Sequence, residues 1–404
     1  MNLVFIGRFF PKKILSTVSV DSKGSMGMSN HNFEMSIING FCQHTNIQLH
    51  CLSIPGVYSY PRNNKRIFTK SESYHYKNAR IFSVGFCNLP IVKEIWGILA
   101  LIYKLLKVIK HSKDDRVDVI VNTPDYRLLL ALRIAKCLTR KRVTQTVIIP
   151  DIPSFVTAMG KANKVKTFIL ERLDKQSMKK TSHSSGLVLL TEAMMDFFSR
   201  PIKHIVMEGI VDVKTMDQQV ERPVSNNYII LYTGTLRKIF GVMNLVSAFQ
   251  MLKQENIELW ICGSGECKDD IEEAALQDPR IKFFGLVNSQ IALKLQHKAT
   301  ILVNPRTSEG EYTKYSFPSK TMEYLLAGKS VIANRLPGIP EEYYEYIYTP
   351  KDESVVAMAE CINSVLALND NEKEHKALSG REFVVNKKNS KVQTARILEM
   401  IETY

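Results

Sequence analysis

Short apolar runs alternate with amphipathic stretches along nearly the whole chain, and that alternation predicts strands and helices in turn. Residues 3–6 form a continuous apolar run and read as a first buried strand. A long loop, 8–29, contains Gly24-Ser-Met-Gly27. Then Phe33, Ile37, Ile38 and Phe41 fall at helical spacing, predicting a helix from Ser29 or Asn30 to about Gln43. Strands are predicted at 47–54, 81–84, 117–121, 144–149 and 186–190, and helices at about 127–138, 161–180 and 192–199. Residues 58–78 are polar, basic and tyrosine-rich, which predicts a hairpin or a mobile insertion.

A joint follows at Glu208-Gly-Ile-Val-Asp212, continuing into the polar stretch 217–227, and the pattern then restarts. Strands are expected at 228–232, 258–262, 281–284, 301–303 and 330–333. Helices are expected at 242–253, 268–276, 289–296, 353–368 and 390–402. The chain is too long for one hydrophobic core. Two similar units of alternating strand and helix predict an α/β protein with two Rossmann-like domains facing a cleft. The expected divisions are 1–205, a linker 206–227, a second domain 228–385 and a C-terminal helix 386–404 returning to the first domain.

Charge sharpens the picture. Of 54 Lys+Arg and 40 Asp+Glu, residues 1–205 hold 31 and 13, a net of +18, which leaves 206–404 at −4. A basic half suggests an anionic partner. Basic residues interleaved with aromatics, as a single-strand nucleic-acid binder needs, are not evident, so an anionic membrane surface is expected rather than nucleic acid. Residues 95–103 carry no charge, and Lys104, Lys107 and Lys110 follow. That run is far short of the roughly 20 apolar residues needed to span a bilayer. It reads as an interfacial amphipathic helix or as an ordinary helix packed on the sheet. Seven cysteines without C-x-x-C spacing, and an N-terminus without a long apolar core and cleavage site, predict a cytoplasmic protein at most peripheral on the inner face of the plasma membrane.

The richest chemistry lies in Tyr315-Ser-Phe-Pro-Ser-Lys-Thr-Met-Glu323, followed by Tyr-Leu-Leu-Ala-Gly328. Pro318 turns the chain into a short helix with Ser319 expected as its N-cap. A helix N-terminus with Lys320 beside it suits a phosphate, and Glu323 one turn on could accept hydrogen bonds from a ribose or sugar diol. In the first half, Asp151 stands just beyond a predicted strand end, where open α/β sheets keep their ligands; it reads equally as a turn residue.

Three features of the second half, in order, resemble the donor-binding half of the retaining GT-B glycosyltransferases of family 4. They are Gly234-Thr-Leu236, Gly263-Ser-Gly-Glu266, and the loop and helix ending in Glu323 with Gly328-Lys-Ser-Val-Ile-Ala333. Asn304-Pro-Arg306 and Tyr315-Ser-Phe-Pro-Ser-Lys320 are similar to a bacterial surface-polysaccharide branch of that family. The resemblance covers about 228–335. It implies transfer of a hexose-type sugar from a nucleotide-sugar to a lipid-linked or growing surface-polysaccharide glycan, with retention, no metal and no cofactor beyond the co-substrate. Catalytic roles fall on Asp151, Lys320 and Arg306. Donor binding falls on Gly234, Thr235, Arg237, Gly263, Gly265, Tyr315, Ser319, Lys320 and Glu323, with room for the nucleoside near Gly263, Gly265 and Gly285.

The chain departs from the family at three places. Tyr315 stands where the first of two paired glutamates is found. Thr235 and Phe240 stand where two cations serve the diphosphate. A diphosphate leaving group needs positive charge, so Lys320, Arg306 and Arg237 are the expected substitutes. The same departures motivate a second reading, a catalytically silent nucleotide-sugar-binding partner in a polysaccharide assembly complex. An epimerase on this fold would need acid/base histidines around the sugar, and the nine histidines form no such group in the sequence.

Overall fold

The computed structural model describes residues 1–12, 14–15, 27–57, 59–61, 67–155, 164–211 and 227–404. The Gly24-Ser-Met-Gly27 loop up to residue 26, the expected helix start at 161–163, residues 62–66 of the tyrosine-rich stretch and nearly all of 217–227 lie outside them. The chain divides into two units, Met1–Asp212 with Ser390–Tyr404, and Val213–Asn389.

The first unit is built on an eight-stranded sheet. Its strands are β1 (Asn2–Gly7), β2 (Gln48–Ser53), β4 (Glu72–Tyr76), β5 (Ala79–Ser83), β7 (Arg116–Asn122), β8 (Arg142–Ile149), β9 (Gly186–Leu189) and β10 (His204–Val206). The order is β10-β9-β8-β7-β1-β2-β5-β4. Every pairing is parallel except the edge hairpin of β4 and β5. The central strands are mostly apolar because both faces are covered, with Asp118, Asn122, Thr144, Gln145 and Thr146 as buried polar positions among them. β3 (Phe68–Thr69) pairs with β6 (Phe86–Cys87) in a separate two-stranded ribbon. The helices are α1 (Met28–Phe41), α2 (Pro90–His111), α3 (Tyr126–Cys137) and α4 (Lys164–Thr181). The helix expected at 192–199 is a 3₁₀ turn, Glu192–Phe197. β10 carries the sheet past residue 205, so this unit continues into the stretch assigned to the linker.

The second unit repeats the plan with five parallel strands: β11 (Tyr228–Thr235), β12 (Ile257–Ser264), β13 (Ile281–Phe283), β14 (Ile301–Asn304) and β15 (Ser330–Ala333). Their order is β13-β12-β11-β14-β15. Its helices are α5 (Val242–Gln250), α6 (Lys268–Gln277), α7 (Ser289–Lys298), α8 (Ser319–Leu326), α9 (Val355–Ala367) and α10 (Asp370–Lys387). Polar periodicity hid α10, which was not anticipated; Asn369 caps it by accepting from Glu372 N–H.

The last helix, α11 (Ser390–Glu402), belongs to the first unit. Ile397, Leu398, Met400 and Ile401 join the core made by Leu3, Phe5, Ile37 and Phe41. Gly40 permits the approach, since a Cβ there would stand 2.2 Å from the Ser390 carbonyl oxygen. At the end of the chain, Arg116 donates to the carbonyls of Ile401 (2.5 Å) and Tyr404 (3.1 Å).

Candidate functional site

Among the parallel strands the order reverses beside β1 in the first unit and beside β11 in the second. Ligands of open α/β sheets bind at the carboxyl ends of the strands flanking such a reversal.

In the second unit these are the ends of β11 and β14. β11 leads into Gly234, Thr235 and Leu236, which are laced to the end of β12. Leu236 N–H donates to Ser264 O (3.0 Å), Cys267 N–H to Leu236 O (3.0 Å) and Lys238 N–H to Glu266 Oε1 (3.0 Å). The glycines make this lacing feasible. A Cβ on Gly263, whose φ is +152°, would meet the Gly234 carbonyl oxygen at 1.8 Å, and one on Gly265 would meet the Leu236 carbonyl oxygen at 2.3 Å. Their missing side chains therefore admit neighbouring backbone, which corrects the expectation that these two leave room for a nucleoside. Gly285 does open onto free space.

Helix α8 brings in the charged pair. Its N-cap is Pro318, with no side-chain cap bond, and the exposed Ser319 is its first helical residue. This corrects Ser319 as the cap: proline supplies the extended backbone before the helix, and no side chain closes the first turn. Lys320 Nζ donates to both oxygens of Glu323, each at 2.9 Å. Gln296, fully buried on α7, donates to Glu323 Oε1 (2.6 Å) and Thr233 Oγ1 (3.1 Å). Tyr324 fastens the helix to β11: its buried hydroxyl accepts from Thr233 N–H at 2.8 Å and donates to Thr233 O at 3.2 Å. Burial pushes the Tyr324 hydroxyl far above its ordinary pKa. Burial also raises the Cys262 thiol to about 11, with the charge of Lys320 opposing the rise.

Phe240, at the position of a missing cation, gathers cations around it. The guanidinium of Arg237 lies 5.9 Å from its ring and that of Arg306 lies 5.6 Å away, with Tyr312 4.9 Å from Arg306. Arg306 is 7% exposed and donates to Ser316 Oγ (3.0 Å). Asn334 donates to the carbonyls of Pro305 (3.2 Å) and Arg306 (3.1 Å), and Asn304 donates to Thr321 Oγ1 (3.0 Å), so β14, α8 and the turn after β15 are joined at their ends. Tyr315 is buried, with its hydroxyl 3.5 Å from Glu311 Oε1. Thr235 is exposed, and its carbonyl accepts from Tyr232 OH (2.9 Å).

Asp151 belongs to the first unit. It is exposed after β8, one strand away from the β1/β7 reversal. At that reversal stands a group the sequence reading passed over. Glu34, 1% exposed on the buried face of α1, accepts from Arg8 N–H (2.9 and 3.1 Å) and Asn122 Nδ2 (2.7 Å). A Cβ on Gly7 would come within 2.6 Å of it. Burial pushes its pKa up to about 7, partly offset by the hydrogen bonds from Arg8 and Asn122. Nearby, Asp125 caps α3 and pairs with Arg8 (3.3 Å) and Arg127, which also holds Glu94. Burial opposes ionisation of Asp125, yet the Arg127 bond and charge hold it down at about 2. Thr123, between Asn122 and this network, has φ +70°, a strained left-handed conformation. One clue was available in the sequence, a lone carboxylate in register with Ile37, Ile38 and Phe41.

Residues 227–368 match the family described as glycosyl transferases group 1. An uncharacterized glycosyltransferase of Methanocaldococcus jannaschii is 29% identical over 117 residues, a stretch spanning 28% of this chain and 28% of that relative. Among solved structures, sucrose-phosphate synthase from Thermosynechococcus elongatus aligns over 100% of this chain and 99% of its own, at 13% identity and a TM-score of 0.61. A trehalose-6-phosphate synthase aligns over 100% and 99%, at 10% identity and a TM-score of 0.67. The E. coli trehalose-6-phosphate protein bound with UDP-2-fluoro glucose aligns over 99% and 98%, at 10% and 0.62. The chain therefore has the GT-B fold, and its second unit matches a glycosyl transferases group 1 domain.

Proposed function

We propose that this chain is a glycosyltransferase that moves a hexose-type sugar from a nucleotide-sugar to a lipid-linked or growing surface-polysaccharide glycan, with retention and without metal. The observation that carries the reading is the Lys320–Glu323 pair on the uncapped first turn of α8, beside the β11/β12 lacing, with Arg237 and Arg306 drawn around Phe240. An uncapped helix N-terminus and three cations suit a diphosphate, and Glu323, already fixed by Gln296, suits a diol. The structural neighbour carrying UDP-2-fluoro glucose supports a nucleotide-sugar as donor. In the reaction the acceptor hydroxyl attacks the anomeric carbon on the face from which the diphosphate leaves. The departing phosphate oxygen takes the hydroxyl proton, and Lys320, Arg306 and Arg237 stabilise the charge that develops on it. Ser319 adds first-turn donors, Gly234, Gly263 and Gly265 shape the floor, and Thr235 lines its rim. Asp151 orients the acceptor. The expected location is the cytoplasm.

The second reading, a silent nucleotide-sugar-binding partner, rests on the burial of Arg306 between Phe240 and Tyr312. A thermal-shift screen of UDP, GDP, ADP, CMP and dTDP on wild type and Lys320→Ala tests binding. A ligand of the native state at a hundredfold excess over its Kd stabilises by roughly 2.7 kcal/mol. One nucleoside diphosphate that shifts wild type and not the variant supports the seat. No shift with any of them overturns it. Binding followed by neither hydrolysis nor transfer of the sugar selects the silent partner.

A further inference from the structure

Helices α2, α3 and α4 pack side by side on the first unit, while α11 packs on α1. Each of the three precedes a parallel strand, so they run the same way and their C-termini share one edge. Gly97, Leu101, Leu105 and Ile109 form the buried side of α2. Its outer side has no such cover. Ile91, Ile95, Trp96, Leu99 and Tyr103 are each more than half exposed, and at helical spacing they form one stripe. Lys107 and Lys110, both exposed, continue the same stripe toward the C-terminus. The acid nearest its start, Glu94, is held by Arg127. Phe68, 72% exposed, extends the apolar end from the ribbon that leads into α2.

Toward the shared C-terminal edge, a groove of about 580 Å³ between α3 and α4 is lined by Arg133, Lys136, Lys179, Lys180 and His183, with no carboxylate in its lining. Apolar anchors and basic groups thus occupy successive parts of one helical face.

We propose that this face docks flat on an anionic lipid bilayer, the α2 stripe entering the interface and the basic edge meeting lipid phosphates. An exposed stripe of this kind marks an interaction surface. Trp96 and Tyr103 are the residue types that settle at the headgroup level, and lysines beside them gain from the negative surface potential. No described helix is long and apolar enough to cross a membrane, so the surface lies on the bilayer. A second copy of the chain is the poorer occupant: residues 1–205 carry a net charge of +18, and stacking this face on itself would set lysines against lysines. The inference extends the proposed reaction to where the acceptor would be met. It is measured without nucleotide, so its failure leaves the transfer reading standing.

The test is co-sedimentation of the full chain with phosphatidylcholine vesicles, with and without phosphatidylglycerol. Wild type is expected to bind the anionic vesicles and to be released by salt. Leu99→Glu is expected to abolish binding, and Lys107→Ala with Lys110→Ala to weaken it about thirtyfold, taking about 1 kcal/mol per lysine. In a Trp260→Phe background, Trp96 emission should shift to the blue on binding. These side chains are exposed, and unchanged unfolding midpoints would establish that the variants fold. Absence of vesicle binding, or equal binding by Leu99→Glu, overturns the proposal. So does a dimer without vesicle affinity that Leu99→Glu dissociates, which would assign the stripe to a second copy.

Discussion

Lys320 grips Glu323 through both carboxylate oxygens at 2.9 Å. The group expected to meet a diphosphate thus holds the group expected to meet a diol. The pair is about a third exposed on each side, so its contribution to stability is small, under about 1 kcal/mol. Lys320→Ala should therefore unfold near the wild-type temperature yet lose nucleoside-diphosphate binding, and slow transfer by about 10²–10³ as the leaving group loses its cation. Calorimetric titration and steady-state kinetics on the same preparations would check both halves.

Tyr324 makes the opposite trade. Its hydroxyl satisfies Thr233 N–H inside the core. Tyr324→Phe leaves that donor buried without its partner, and denaturant unfolding should register a loss of about 1–3 kcal/mol. If unfolding is unchanged, the hydroxyl is not what fastens α8 to β11.

Gly263→Ala would drive a Cβ to 1.8 Å from the Gly234 carbonyl at a φ of +152°. Both the clash and the backbone conformation oppose it, so a loss of about 4 kcal/mol or more is expected, with failure to bind nucleotide. An alanine variant as stable as wild type would mean that the β11 and β12 ends separate easily.

Glu34 gives the first unit a pH signature. Its folded pKa of about 7 lies above the ordinary 4.5, so the native state holds the proton more tightly than the unfolded chain. Its contribution is complete below pH 4.5 and is lost as pH rises through 7, amounting to about 3 kcal/mol. Asp125 acts in the reverse sense: held at about 2 instead of 3.8, it contributes above pH 3.8 and fails as pH falls through 2. Urea unfolding from pH 5 to 8 should show stability falling in wild type and a flatter profile in Glu34→Gln. A wild type insensitive to pH across that window would contradict the assignment.

Periodicity alone determined the repeated strand–helix pattern, because buried parallel strands are mostly apolar and their covering helices show one apolar face; the run at 3–6 announces itself, and 117–121 and 144–149 are legible despite Asp118, Thr144, Gln145 and Thr146. The same rule failed for α10, whose 18 residues are too evenly polar to show a face. Local wording in the sequence marked out Lys320, Glu323 and the two glycine turns, since glycine and helix-start chemistry act within a few residues. Tertiary structure alone decided what those residues touch. Gln296 reaches Glu323 from 27 residues away, and Glu34 meets Asn122 across 88. Two arginines gather at Phe240 only because β14 returns beside β11. Hydrogen bonds and ion pairs between distant segments leave no periodic trace in the chain, so they become visible when the sheet order brings strand ends together.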